Sequence, residues 1–221
     1  LLPHCNFILH RNIDSQPMRR ANVQLQSDRR AEILAAAQRC FAQTGFHQTS
    51  MQEICSAAGM SAGNLYRYFP SKEAIIAGIA EHNRAEAAES FAAVLQAPDF
   101  FTGLAGLARH HLIERDADEV GLCAEIMAEG RRNADVARIY EAIEGDVKSQ
   151  IVVMLRQAEA RGEIKSGLDL DGVATLLMVL GDGTSWRRAV DPGFDAETVL
   201  PLILTMVKCL LSPAAAVEDK R

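Results

Sequence analysis

Apolar residues recur every three or four positions along almost the whole chain, so the pattern predicts helices throughout. In "SDRRAEILAAAQRCFAQTG" the apolar set is Ile33, Leu34, Ala37 and Phe41, with charges opposite. Asp28 is placed to cap that helix, and Gly45 stands where a left-handed terminal residue belongs. "TSMQEICSAAG" predicts a second helix: Ser50 and Glu53 fit a capping box, Met51, Ile54 and Ala58 line its inner side, and Gly59 ends it. A third starts after Met60 with Ser61 as cap, carries Leu65 and Phe69 one turn apart, and stops at Pro70. A fourth opens at Ser71.

Beyond Pro98 the same periodicity predicts helices at about 100–114, 118–130, 134–161, 169–189 and 195–211. The β-branched run "QIVVML" (150–155) invites a strand reading, but its flanks are strong helix formers and it is assigned to a helix. Turns are expected at Gly162–Gly167 and Asp191–Asp195. The fold class is all-α. A disordered extension is expected over 1–26, a three-helix unit over 27–79, a helical bundle over 80–211 and a flexible tail over 212–221.

The first three helices make a helix-turn-helix arrangement, in which the third is the reader. On a helical wheel Ala62, Leu65 and Phe69 share one side, facing the first two helices. The opposite arc carries Gly63, Asn64, Tyr66, Arg67 and Tyr68. Such a surface suits the major groove of DNA, which admits one helix. Gly63 allows close backbone approach, Asn64 and Arg67 can read base edges or set register, and the Tyr hydroxyls and Lys72 can reach phosphates. Thr49, Ser50 and Ser71, at helix N-termini, offer hydroxyls and N–H groups to phosphate oxygens. The competing reading is that Tyr66 and Tyr68 pack against the fourth helix.

The segment "FAQTGFHQTSMQEICSAAGMSAGNLYRYFPSKEAII" resembles the DNA-binding domain of the tetracycline-repressor (TetR) family of bacterial transcriptional regulators. The matching residues are Phe41, Gly45, Phe46, Thr49, Ser50, Ile54, Ala58, Gly59, Met60, Ser61, Gly63, Leu65, Tyr66, Tyr68, Phe69, Ser71, Lys72 and Glu73, within residues 28–80. The resemblance implies DNA contacts from Thr49, Ser61, Ala62, Gly63, Asn64, Tyr66, Tyr68 and Lys72, with Leu65 and Phe69 in the core. It also implies a helical C-terminal domain that binds a small molecule and a homodimer formed by the last two long helices. Ala62 departs from the longer polar residue often found at its position. The function so implied is a sequence-specific repressor of double-stranded operator DNA, released by an apolar or aromatic effector. A ligand-independent regulator or an activator with the same DNA-binding domain is the alternative.

Charge adds one point. Residues 1–80 carry eight Lys+Arg and five Asp+Glu, a net +3, whereas the whole chain is at −6. Only the N-terminal part can favour a polyanion. Five scattered cysteines without a CxxC pair argue for a reducing, cytoplasmic setting rather than a disulfide framework. No apolar run is long enough to span a membrane, and residues 1–17 lack the features of a signal peptide.

The last helix carries Val199, Leu202, Ile203, Met206 and Leu210, and the one before it Val173, Leu176, Leu177, Leu180 and Thr184. Two apolar helices at the chain end fit an isologous dimer interface, or an intramolecular core. An effector pocket is expected among the middle helices, with candidates Phe91, Phe101, Leu104, His111, Met127, Arg131, Met178, Asp182 and Trp186. Arg187 and Arg188 are expected to pair with local carboxylates. His110, His111 and Glu114 lack the spacing of a metal site, and Cys40 and Cys55 read as core residues rather than a redox pair. No catalytic motif is present, and neither enzyme activity nor a cofactor or metal is expected.

Overall fold

The structure, a computed structural model, describes residues 15–213, the side chains of 15–23, 85 and 86 excepted. The described residues form nine α-helices: α1 Ser15–Thr44, α2 Met51–Ala57, α3 Ala62–Tyr68, α4 Lys72–Gln96, α5 Phe100–Arg109, α6 Ala117–Gly130, α7 Ala134–Ala160, α8 Leu170–Val190 and α9 Ala196–Leu211. The "QIVVML" run lies inside α7, because its residues bury one face of a long helix rather than pair with a strand.

Short polar side chains set most helix starts. Ser50 and Glu53 form the reciprocal capping box of α2, and Ser71 accepts from Ala74 N at 3.2 Å to start α4. Asp99, Asp116, Asn133, Asp169 and Asp195 do the same for α5 to α9. A cap of this kind contributes about 1 kcal/mol. Gly45 and Gly59 take positive φ, 83° and 63°, and turn the chain out of α1 and α2.

Two expectations are corrected. α1 begins at Ser15, so Asp28 lies within it and caps nothing, and residues 15–26 are helical rather than disordered. The rest of that expected extension, 1–14, and residues 214–221 lie outside the described residues. The helix expected at 100–114 changes register: α5 ends at Arg109, and His110–Glu114 form a single π turn before α6. That turn directs Leu112 inward and leaves His110 outside beside Glu114, Nδ1 to Oε2 3.4 Å.

Two cores hold the molecule. In the first, Ile33, Leu34, Ala37 and Phe41 of α1 meet Ile54, Leu65, Phe69, Ile75, Ile76 and Ile79, together with Leu122 and Ile126 of α6 and Val136 of α7. The second joins α4, α5, α7, α8 and α9 through Phe91, Val94, Phe100, Met154, Leu155, Ala174, Val207 and Leu211. The helix-turn-helix unit therefore shares buried surface with α6 and α7. Burial of apolar area on this scale is the main stabilising term.

Candidate nucleic-acid interface

α3 is held by two anchors and otherwise left open. Leu65 and Phe69 are buried at 0% and 1% exposure, while Ser61, Ala62, Gly63, Asn64, Tyr66 and Arg67 are exposed. Among the described residues the side chains of Asn64, Tyr66 and Arg67 have no hydrogen-bond or ion-pair partner. Ser61 sits at the N-cap of α3, yet its hydroxyl makes no capping bond. Gly63 lies on the same open arc. A Cβ there would meet nothing within 4 Å, so no packing inside the chain requires glycine. In a helix interior glycine costs about 1 kcal/mol relative to alanine. A bare backbone on an exposed face permits close approach by another molecule.

Other expected contacts are rearranged. Tyr66 is 52% exposed, but Tyr68 is half-buried and packs against the first core, so the reading of two outward tyrosines holds for one. Thr49 cannot offer its side chain to DNA. It is buried, its hydroxyl donates to the Gly45 carbonyl at 2.7 Å and shares a hydrogen bond with Thr44, and its N–H is also bonded to Gly45. Ser50 uses its hydroxyl on Glu53, whose carboxyl is held below its usual range by the Ser50 N–H and hydroxyl. Lys72 organises the loop after α1: Nζ donates to the carbonyls of Phe46 (2.5 Å) and His47 (3.2 Å) and sits 4.5 Å over the Phe46 ring. An ammonium has three donors, so one remains for a partner.

The comparisons with known proteins agree with this geometry. Residues 33–79 match the family model described as bacterial regulatory proteins, tetR family, and residues 107–212 that of the BetI-type transcriptional repressor C-terminal domain. The HTH-type transcriptional regulator UidR of Escherichia coli K12 is 31% identical over 157 residues, 70% of this chain and 78% of that one. The chain belongs to the TetR family. The solved structure of Salmonella enterica GusR is 34% identical, with a TM-score of 0.73 over 83% of this chain and 95% of that one. FadR of Bacillus subtilis, solved with stearoyl-CoA, shares the fold at 20% identity, with a TM-score of 0.72 over 80% of this chain and 96% of its own. This TetR-family chain is thus a transcriptional regulator with a helix-turn-helix DNA-binding domain.

The expected effector residues do not gather in one place. Phe91 and Leu104 are buried in the second core, and Phe101 and Met178 pack against it. Arg131 and Trp186 are exposed, Trp186 at 44%, and line no interior. Met127, His111 and Asp182 are half-buried. Asp182 instead belongs to a polar layer between α6, α7 and α8 whose other members sequence reasoning missed. Burial raises the Asp182 carboxyl pKa, and burial together with Asp182 raises that of Glu144. Burial and the same two carboxylates push the Tyr140 phenol upward. Cys123 lies between Tyr140 and Arg115, accepting from Arg115 Nη2 at 3.6 Å. Tyr140 and Glu144, one turn apart on α7, were the only clue in the sequence.

Arg187 does pair locally, with Asp191 at 2.9 Å. Arg188 does not: Nη2 donates to the Arg115 carbonyl at 3.0 Å, and Nη1 is buried without a partner among the described residues. His111, inside the π turn, has its pKa lowered to about 4 by burial first, then by Arg115 and His110.

Proposed function

We propose that the protein is a dimeric, sequence-specific repressor whose hold on DNA is released by a small molecule bound among α6, α7 and α8. The observation that carries the DNA reading is the exposed, unpartnered arc of α3 around Gly63. Asn64 and Arg67 supply base-edge or register contacts, and Ser61, Ala62, Gly63 and Tyr66 the close approach. Ser50, Tyr68 and the remaining Lys72 proton reach the backbone from the flank.

A second copy fits the outer face of α8 and α9. Leu176, Val179, Trp186 and Val190 recur at helical spacing on α8 and are 40–59% exposed, with Gly183 in the same row. Leu202 and Met206 extend the patch on α9 at 68% and 49%. The stripe read from the sequence mixes two faces, since Val173 and Thr184 are buried and Ile203 and Leu210 pack inward. Two reading helices in such a dimer engage half-sites about 34–36 Å apart.

Release needs only that the effector favour a spacing unlike that on DNA. α6 suits the link: it bears Cys123 of the polar layer, places Leu122 and Ile126 in the first core, and is bonded to the loop after α1 through Glu125. α4, running from Lys72 into the second core, is a parallel route. The effector in this reading combines an apolar body with a polar group facing Tyr140, Glu144 and Asp182. The BetI-type repressor match and the fold neighbour solved with stearoyl-CoA support a ligand-responsive C-terminal domain.

Fluorescence anisotropy on DNA from the protein's own upstream region tests the reading, with Tyr66→Ala and Lys72→Ala alongside. Expected is salt-dependent binding that saturates at whole dimers and weakens about ten-fold or more in Tyr66→Ala, equivalent to roughly 1.4 kcal/mol. Binding untouched by Tyr66→Ala would show that α3 does not read DNA.

A further inference from the structure

The first half of α1 is arginine-rich, and its described side chains, from Gln24 on, lie on the surface. Its C-terminal end is seated on α6, where a Cβ at Gly121 would lie 3.6 Å from Ala42 and where Phe46 N bonds Glu125. Midway, the Arg30 guanidinium stands 4.3 Å over the ring of Phe69, the residue that ends α3. The start of α1 thus leaves the body beside the reading helix. From Ser15 to Arg30 the helix runs about 22 Å at 1.5 Å per residue.

Residues 24–30 are all exposed, Leu25 at 58%. Exposed residues gain little tertiary stabilisation, and isolated short helices are marginal in water. Its charge stands apart from the rest of the chain. Residues 15–30 include arginine at 19, 20, 29 and 30 and a single acid, Asp28, a net +3 in a chain of net −6. Within it Arg29 is paired to Glu32 at 2.5 Å and Arg30 is stacked on Phe69, which leaves positions 19 and 20 as the basic residues farthest out along the helix.

We propose that this projecting half of α1 is a second DNA-binding element. It lies along the phosphate backbone flanking the groove that α3 enters, and it adds affinity without sequence preference. The inference rests on the DNA-binding reading above. The partner is argued from charge complementarity and from position beside α3, since an excess of arginine next to a reading helix meets the densest negative charge available to the protein, a duplex with one phosphate charge per roughly 1.7 Å. An acidic protein partner is the other occupant such a surface could take, and the test separates the two.

The test measures binding of the full chain to a mixed-sequence duplex long enough to hold one dimer and its flanks, across a range of salt concentrations. On such DNA affinity is almost wholly electrostatic, so no operator need be known. Arg19→Ala/Arg20→Ala is compared with the parent and with Arg138→Ala, which removes an exposed arginine paired to Asp135 on α7. Each phosphate contact contributes about 0.9 to the slope of log affinity on log salt, so the double variant should lower the slope by about 1.8 per protomer while Arg138→Ala leaves it unchanged. Circular dichroism of both variants checks that helix content is kept. A parent that binds with an undiminished slope in the double variant would overturn this inference and leave the α3 reading standing. A parent that shows no salt-dependent binding at all would overturn both.

Discussion

The side-chain carboxylate of Glu125 accepts the main-chain N–H of Phe46 at 3.1 Å, across 79 residues of sequence. This bond ties α6 to the loop after α1. Lys72 holds the same loop from the other side through the Phe46 and His47 carbonyls. A second tie runs from Asn133, the cap of α7, to Glu73 at the start of α4, 3.2 Å. Burial raises the Glu73 carboxyl, but its own backbone N–H, then Ser71, Asn133 and the charge of Lys72 outweigh it and hold it below its usual range. The helix-turn-helix unit is therefore hydrogen-bonded at two places to the helices that carry the polar layer.

Removing the first tie should loosen that connection. Glu125→Ala leaves the Phe46 N–H without its acceptor and should destabilise the fold by about 1–2 kcal/mol in urea denaturation. Hydrogen exchange at the Phe46 amide should accelerate in the same variant. Glu125→Gln keeps an amide oxygen at that place and should restore most of both. Equal exchange rates in parent and Glu125→Ala would show that the bond does not hold the loop.

His111 gives the stability a pH dependence with a definite sign. Its pKa of about 4 in the folded chain lies below the unfolded value of 6.5, because burial, then Arg115, then His110 oppose the charged form. The unfolded chain takes up the proton first as pH falls. Stability contributed by neutral His111 is complete above about pH 6.5 and is lost progressively down to about pH 4, amounting to roughly 2–3 kcal/mol at the lower limit. In His111→Asn the fall in unfolding free energy between pH 7 and pH 4 should be smaller by about that amount. An unchanged profile would mean that other groups carry the acid sensitivity.

The outer face of α8 and α9 makes a prediction about assembly. Val179→Glu and Leu202→Glu place charges on positions already 59% and 68% exposed, so each should change chain stability by less than about 0.5 kcal/mol. At a contact between copies the same changes bury a charge without a partner. Sedimentation equilibrium should then show a dimer for the parent and a folded monomer for the double variant. A double variant that remains dimeric would place the contact elsewhere on the surface.

What the sequence by itself determined was local. Several helix starts and stops were legible because short-range chemistry sets them: Ser50 with Glu53, Ser71, and glycines at 45, 59, 162 and 167 that all adopt positive φ. The reading helix was legible in part for the same reason: Leu65 and Phe69 set its buried side, but Ala62, read as facing inward with them, is exposed, and Tyr68, read as outward, is half-buried. Only tertiary structure decided which polar groups were already committed. Thr49 sits at a helix start like Ser50, yet the fold buries it and consumes its hydroxyl, a fact set by Thr44 and Gly45 around it.

The same limit explains the effector region. Periodicity marks a residue as apolar-facing or polar-facing on its own helix and says nothing about which helix lies opposite. Trp186 and Met178 therefore looked alike in sequence, whereas α8 turns one to the outside and packs the other against the second core. Tyr140, Glu144 and Asp182 meet only because α7 and α8 pack side by side, bringing together residues 38 positions apart or more. Charges and hydroxyls act over a few ångströms of space, and only the packing of distant helices fixes that distance.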